Sequence, residues 1–258
     1  MFESLIRDSA VRTFGSVARL GVHRLPVFDR VFVTFYEFYK RYFEAGPIER
    51  LREFVPSDSI VIDVGANVGF FTRRFASWIG GGEVIALEPE DHNYMLLLAA
   101  LKREHLAAKV RPLKAVAAAT TGTTFLEINR LHPADHKLSL DGTGIAVEAV
   151  RLDDLIRDKG PRRPSLVKID VQGAEMLVLQ GAPDILRLSG AALFIELSDE
   201  ALGRFGSSVS AILDHLAQYG YQAYWLMPAG PHRKASLEDI QAKAARNGYV
   251  DVLFLKAS

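Results

Sequence analysis

From residue 57 onward the hydrophobic positions come in two rhythms. Short, β-branched apolar runs at 59–64, 83–87, 109–113, 165–169, 191–197, 221–226 and 250–255 have the length and composition of buried strands. Runs at 123–128 and 146–150 read as two more. Between them, apolar residues recur at helical spacing over 70–79, 91–104, 153–158, 174–186 and 207–219. Gly80-Gly81-Gly82 marks a turn between the first helix and the second strand. Strands that are apolar throughout and alternate with helices predict an α/β fold, a doubly wound and mostly parallel sheet covered on both faces. Residues 129–145, rich in His, Pro, Asp and Gly, form one long irregular insertion, and such loops tend to carry function.

The first 55 residues follow another pattern. Phe28, Phe32, Phe35, Tyr36, Phe38, Tyr39, Tyr42 and Phe43 recur at helical spacing and stop before Gly46-Pro47. This predicts an N-terminal helical extension over 1–55 ahead of a main domain over 56–258. The extension reads as a cap, a lid over substrate, or an element that builds a homo-oligomer. Residues 2–20 place Phe2, Leu5, Ile6, Phe14 and Val17 among Arg7, Arg12 and Arg19, a pattern suited to peripheral membrane contact.

Composition narrows the classes. With 49% apolar and 24% charged residues, the chain has material for a sizeable core. Its 31 basic residues balance 31 acidic ones, which removes the long-range attraction that draws a basic domain to nucleic acid. No nucleic-acid partner is expected. The absence of cysteine excludes disulfides, thiolate metal sites and a cysteine nucleophile, and fits a reducing, cytoplasmic setting. No apolar run reaches the roughly 18–20 residues of a membrane span. Arg7, Asp8, Arg12 and Arg19 interrupt any secretory core near the start.

The chemistry concentrates after the first strand, in Val61-Ile62-Asp63-Val64-Gly65-Ala66-Asn67-Val68-Gly69. Gly65 and Gly69 admit close backbone approach. Asn67 stands where the dinucleotide fingerprint requires its middle glycine, which argues against a nicotinamide dehydrogenase. Asp63 would repel a pyrophosphate and favours a ligand with a positive group. S-adenosylmethionine, with its amino group and sulfonium, matches. Nineteen residues past Gly69, Glu88 ends the second strand, where a carboxylate accepts hydrogen bonds from ribose hydroxyls.

These segments, with Glu88-Pro89 and Asn93, resemble the FkbM-type family of S-adenosylmethionine-dependent methyltransferases. The likeness continues at Arg151-Leu152-Asp153-Asp154-Leu155, through 167–175 (Val-Lys-Ile-Asp-Val-Gln-Gly-Ala-Glu), and at Leu179-Gln180-Gly181-Ala182 and Glu196. It covers about residues 57–198; Gln172 stands where the family usually has Glu. The resemblance implies a seven-stranded, Rossmann-like methyltransferase sheet and S-adenosylmethionine as cofactor. Asp63, Gly65, Asn67, Gly69 and Glu88 would hold it, with the backbone of Val116 and Ala117 near the adenine.

A second cluster follows the strand at 165–169. Asp170 ends it and Glu175 opens the next helix, so both are expected on the crevice side as acceptor-orienting or proton-taking carboxylates. The alternative is structural: Asp170 pairs with Lys168, and Glu175 caps the helix. Glu196 ends the next strand with both readings open. In the insertion, His132, Asp135 and His136 read as solvated loop, acceptor contacts or metal ligands. His136, flanked by Asp135 and Lys137, is the chosen base, and no metal is assigned. The expected function is O-methylation of a hydroxyl on a small molecule, sugar or natural product, with catalytic residues Asp170, His136 and Glu175. N-methylation and a non-catalytic nucleotide-binding module are the rivals.

Overall fold

The computed structural model describes residues 47–128, 136–160 and 162–257. The aromatic segment 28–43 lies outside these residues, as do His132 and Asp135. In chain order, β1 (Ile60–Val64) leads to α1 (Phe70–Trp78), β2 (Glu83–Leu87), α2 (Asp91–Arg103) and β3 (Val110–Leu113). Then come β4 (Ala115–Ala117), β5 (Gly122–Glu127), β6 (Lys137–Leu138), β7 (Ile145–Val150) and α3 (Leu152–Ile156). β8 (Pro164–Ile169), α4 (Glu175–Gln180), α5 (Pro183–Leu188) and β9 (Ala192–Leu197) follow. The chain continues with α6 (Asp199–Arg204), α7 (Val209–Ala217), β10 (Tyr221–Trp225), β11 (Arg233–Lys234), α8 (Leu237–Asn247) and β12 (Val250–Lys256).

The main sheet has the order β11-β10-β12-β9-β8-β1-β2-β3. β3, β2, β1, β8 and β9 run parallel, and β12 is antiparallel to both β9 and β10. This is the expected α/β, doubly wound, Rossmann-like sheet, with one change in count. Among the described residues, the two-residue β11 makes it eight strands rather than seven. Chain order reverses between β1 and β8, so a crevice opens beyond their carboxyl ends.

Period-two alternation sorts the strand side chains onto two faces. Ile60, Ile62 and Val64 join Val167, Ile169, Leu193 and Ile195 under α4, α5, α7 and α8. Val61 joins Leu166, Phe194 and Leu253 under Phe71 and Phe75 of α1 and Leu97 of α2. Asp63, two residues after Val61, therefore lies on the α1 face. Ile48, Leu51 and Val55 are buried in that same cluster, so the described end of the expected extension belongs to the domain core.

Two sequence expectations change. The runs at 123–128 and 146–150 do not extend the main sheet. They form β5 and β7 of a separate four-stranded sheet, ordered β4-β7-β5-β6. The helix expected over 174–186 is two, α4 and α5, parted at Gly181-Ala182. A Cβ on Gly181 would stand 2.1 Å from the Ala118 carbonyl oxygen, so the break seats this turn against the chain leaving β4. The Asp153 carboxylate then accepts from the backbone N–H groups of Asp184 and Ile185 at 2.9 and 3.0 Å, capping α5 from a distance. Among the described residues, no helix is long and apolar enough to cross a membrane.

Candidate active site

The crevice is built from the turns after β1, β2 and β8. After β1 the chain turns through positive φ at Gly65, Asn67 and Gly69, and α1 starts. Asn67 holds its φ of 49° with its own side chain, Oδ1 accepting from the Val68 N–H at 2.7 Å. The glycines have a use that their spacing did not show. A Cβ on Gly65 would fall 1.9 Å from the Asp170 carbonyl oxygen, and one on Gly69 would fall 2.6 Å from Leu97 Cδ1. Both are demanded by the chain's own packing: Gly65 brings the β1 turn onto the end of β8, and Gly69 brings α1 onto α2.

Glu88 closes the turn from the neighbouring strand. Its Oε2 accepts from the Asn67 N–H at 2.8 Å and its Oε1 from the Glu90 N–H at 3.0 Å. Burial pushes its carboxyl up to about 7, against the pull of those two donors. Each oxygen keeps a lone pair for a further donor. Glu90 in turn caps α2, accepting from the Asn93 N–H at 2.8 Å.

Asp63 is not at the surface of the turn. Its carboxylate is 0% exposed, with Oδ2 accepting from Thr72 Oγ1 at 2.6 Å and Oδ1 lying 3.5 Å from Lys168 Nζ. Burial pushes this carboxyl up, while Lys168 and Thr72 draw it back. Asp63 and Lys168 are register partners across β1 and β8, so the cation facing Asp63 is the chain's own. The expected direct contact with a positively charged ligand is corrected accordingly.

Asp170 pairs with the same lysine, Oδ2 at 3.4 Å, and keeps 18% of its side chain exposed. Glu175 takes a different place. It is 3% exposed, and Oε1 accepts from the Gly173 N–H at 3.1 Å and the Val171 N–H at 3.4 Å. Burial pushes it up to about 7. This carboxyl braces the loop after β8, and its burial there favours the structural reading over the catalytic one. Gln172, at φ 56°, directs Nε2 to Glu196 Oε1 at 3.4 Å, a donation that the usual Glu could not make when ionised.

His136 stands with Glu90, Nε2 3.9 Å from Oε2, at the β2 end of the rim. β2 lies two places from β8 in the sheet, so the histidine is not beside Asp170 as expected. Ala117, whose backbone was expected near the adenine, lies on β4. It is buried opposite Val150 of β7, its strand engaged in the second sheet. The cleft next to Glu90 is lined instead by Pro89, Lys114, Leu126, Ile145 and Val147, with a volume of about 190 Å³. A larger recess of about 560 Å³ opens at the amino ends of β8 and β9, around Arg163, Ser189 and Lys256, away from these groups.

Sequence reasoning missed the cleft and the depth of Lys168. The signal for the second was present: a charge inside an otherwise apolar buried strand must find a partner.

An open α/β sheet with a glycine turn after its first strand, and a buried carboxylate ending its second, defines a nucleotide-binding class. Residues 63–223 match the methyltransferase FkbM domain, and the chain belongs to that family. It thus carries a methyltransferase domain, and S-adenosylmethionine is the methyl donor of this class. Methyltransferase sdnD of Sordaria araneosa is 26% identical over 163 residues, 50% of this chain and 62% of that one. Hexuronic acid methyltransferase AglP of Haloferax volcanii is 26% identical over 145 residues, 56% of this chain and 58% of that one. The chain thus spans about three fifths of the length of these curated relatives. A solved methyltransferase structure from Geobacter sulfurreducens aligns over 93% of this chain and 96% of its own, at TM-score 0.46 and 16% identity.

Proposed function

We propose that the domain transfers the methyl group of S-adenosylmethionine to a hydroxyl oxygen of a small molecule or glycan. One observation carries the reading: the glycine turn and the Asp170 end of β8 touch backbone to backbone, with the Asp170 carboxylate still open to solvent. A donor on the turn and an acceptor at Asp170 would then be neighbours, and alignment is most of what this reaction asks of a protein.

The residues suit the donor. Glu88 has acceptor capacity left after its two backbone bonds, and a carboxylate made basic by burial favours neutral hydroxyl donors such as those of a ribose. The cleft between Pro89 and Ile145 offers apolar walls for a flat base, with Lys114 and Glu90 at its edge. When held by Glu88 and the β1 turn, the donor would supply a methyl group on a sulfonium, with a neutral thioether as the leaving group. On the acceptor, an oxygen–carbon bond forms and the hydroxyl proton leaves. Asp170, the part-exposed carboxylate of the Lys168 pair, would take that proton and pass it to water. Asp63, sealed below, sets the charge under the turn and touches neither reactant. The Haloferax volcanii relative is a hexuronic acid methyltransferase, which supports a sugar acceptor.

Incubation with S-adenosylmethionine and a panel of hexuronic acids, neutral sugars, phenols and amines tests the reading. S-adenosylhomocysteine formed with a hydroxyl acceptor supports it. Formation with amines alone moves the function to nitrogen, and donor binding without turnover on any class returns it to a binding module.

A further inference from the structure

Lys168 occupies an unusual position for an ammonium group. It is 4% exposed, inside β8, with its Nζ 5.1 Å from the centre of the Phe71 ring. Among the described residues, four oxygens lie within 3.5 Å of it. The Gly65 carbonyl accepts at 3.0 Å and the Val64 carbonyl at 3.5 Å, while Asp63 Oδ1 and Asp170 Oδ2 lie at 3.5 and 3.4 Å. Two of these oxygens belong to the turn backbone, one to a sealed acid and one to an open acid.

Neutralising Asp63 does not by itself explain this arrangement. A buried ion pair is replaceable by apolar residues of similar shape with little loss of stability. The contact to Gly65 is of another kind. The Gly65–Ala66 peptide is planar, so fixing its carbonyl fixes its N–H as well. That N–H, on Ala66, donates to the Leu87 carbonyl at 2.9 Å. The peptide is therefore held at one end by Lys168 on β8 and at the other by β2. It is the first peptide of the glycine turn, and it abuts the Asp170 carbonyl.

We propose that Lys168 is a positioning residue: its buried ammonium clamps the Gly65 carbonyl to the Asp170 end of β8 and so fixes the turn that receives the donor's amino-acid portion. The proposal rests on the donor reading above. Lys168 itself touches neither donor nor acceptor. It acts through the Gly65–Ala66 peptide and through Asp170.

The double variant Asp63→Asn, Lys168→Met tests it. The two sealed charges leave together, Asp170 loses its lysine but keeps its contact with solvent, and the side chains keep nearly the same volume. The probes are S-adenosylhomocysteine and adenosine, which differ by the homocysteine portion, titrated into wild type and variant by calorimetry and NMR. The expected result is a folded variant whose unfolding midpoint lies within a few degrees of wild type. Its affinity for S-adenosylhomocysteine should fall about tenfold or more, and its affinity for adenosine should stay within about twofold. Equal affinity for S-adenosylhomocysteine in both proteins overturns the role of Lys168 and leaves the donor reading standing. Parallel loss for both probes also overturns it, because general loosening would then account for the effect. A wild-type protein that binds neither probe refutes the donor reading itself. Should the variant fail to fold, Lys168→Met alone, with Asp63 free to take a proton, is titrated with the same two probes and judged by the same outcomes.

Discussion

The carbonyl oxygen of Asp170 stands 1.9 Å from the point where a Cβ on Gly65 would be, so the first turn of the sheet and the end of β8 are in direct backbone contact. Gly65 also has φ 76°, a conformation costly for any side chain. Gly65→Ala is thus expected to destabilise the fold by about 2–4 kcal/mol, beyond any steric effect on a ligand. Gly69→Ala should cost less, because the atom in its way is the end of the flexible Leu97 side chain. Urea unfolding of the two variants compares them. Equal losses would show that backbone contact at Gly65 is not the governing term.

Glu175 makes stability depend on pH. Its carboxyl sits near 4.5 when unfolded and at about 7 in the fold. Between those values the folded state binds more protons than the unfolded one, so stability declines as pH rises from about 4.5 to about 7 and levels off above. Glu88, also pushed up to about 7, adds a decline of the same sign. Glu175→Gln retains an oxygen for the Gly173 N–H and removes the proton. Denaturation at pH 5, 6, 7 and 8 should show a flatter profile for the variant, by on the order of 2 kcal/mol across the range. An unchanged profile would place the titration elsewhere.

Removing Glu88 strips the acceptor from two backbone N–H groups, on Asn67 and Glu90, as well as from a ribose. Glu88→Ala should weaken S-adenosylhomocysteine binding about 10- to 100-fold, an effect on the order of 1–3 kcal/mol. Calorimetry that finds less than a twofold change would show that the ribose is held by another group.

Asp170 and His136 belong to different ends of the rim, and their variants should separate. With an acceptor in hand, Asp170→Asn should lower kcat at least about 100-fold while S-adenosylhomocysteine affinity stays within a few-fold. His136→Ala, beside Glu90, should change donor affinity more than kcat. The reverse pattern would return the histidine to the role of base.

Much of this was legible in the chain. The parallel sheet, its strands and the β1 turn follow from continuous apolar runs and their punctuation. What escaped did so for identifiable reasons. α8 buries only Ile240 and Ala244, so its periodicity is faint, although Ser236 followed by Asp239 is a capping signal. α4 and α5 read as one helix because the break at Gly181 answers a contact with Ala118, remote in sequence. Glu175 looked catalytic because spacing cannot tell a carboxylate facing a crevice from one folded back on its own loop. The two jobs given to Gly65 and Gly69, ligand approach and chain packing, use the same residue type, and only the neighbours Asp170 and Leu97 distinguish them.

The second sheet offers a route to altered specificity. Glu127 of β5 pairs with Lys137 of β6, so the chain leaves and re-enters this sheet at a single rung. A connection between such paired positions changes length at about 0.6 kcal/mol for each doubling, provided that His136 beside Glu90 is kept. Such grafts would leave the Lys168 cluster and the β1 turn untouched, because those groups sit on the other sheet. The β1 turn and the Lys168 cluster can thus be held fixed while the border of the cleft beside Glu90, lined by Leu126, Ile145 and Val147, is varied.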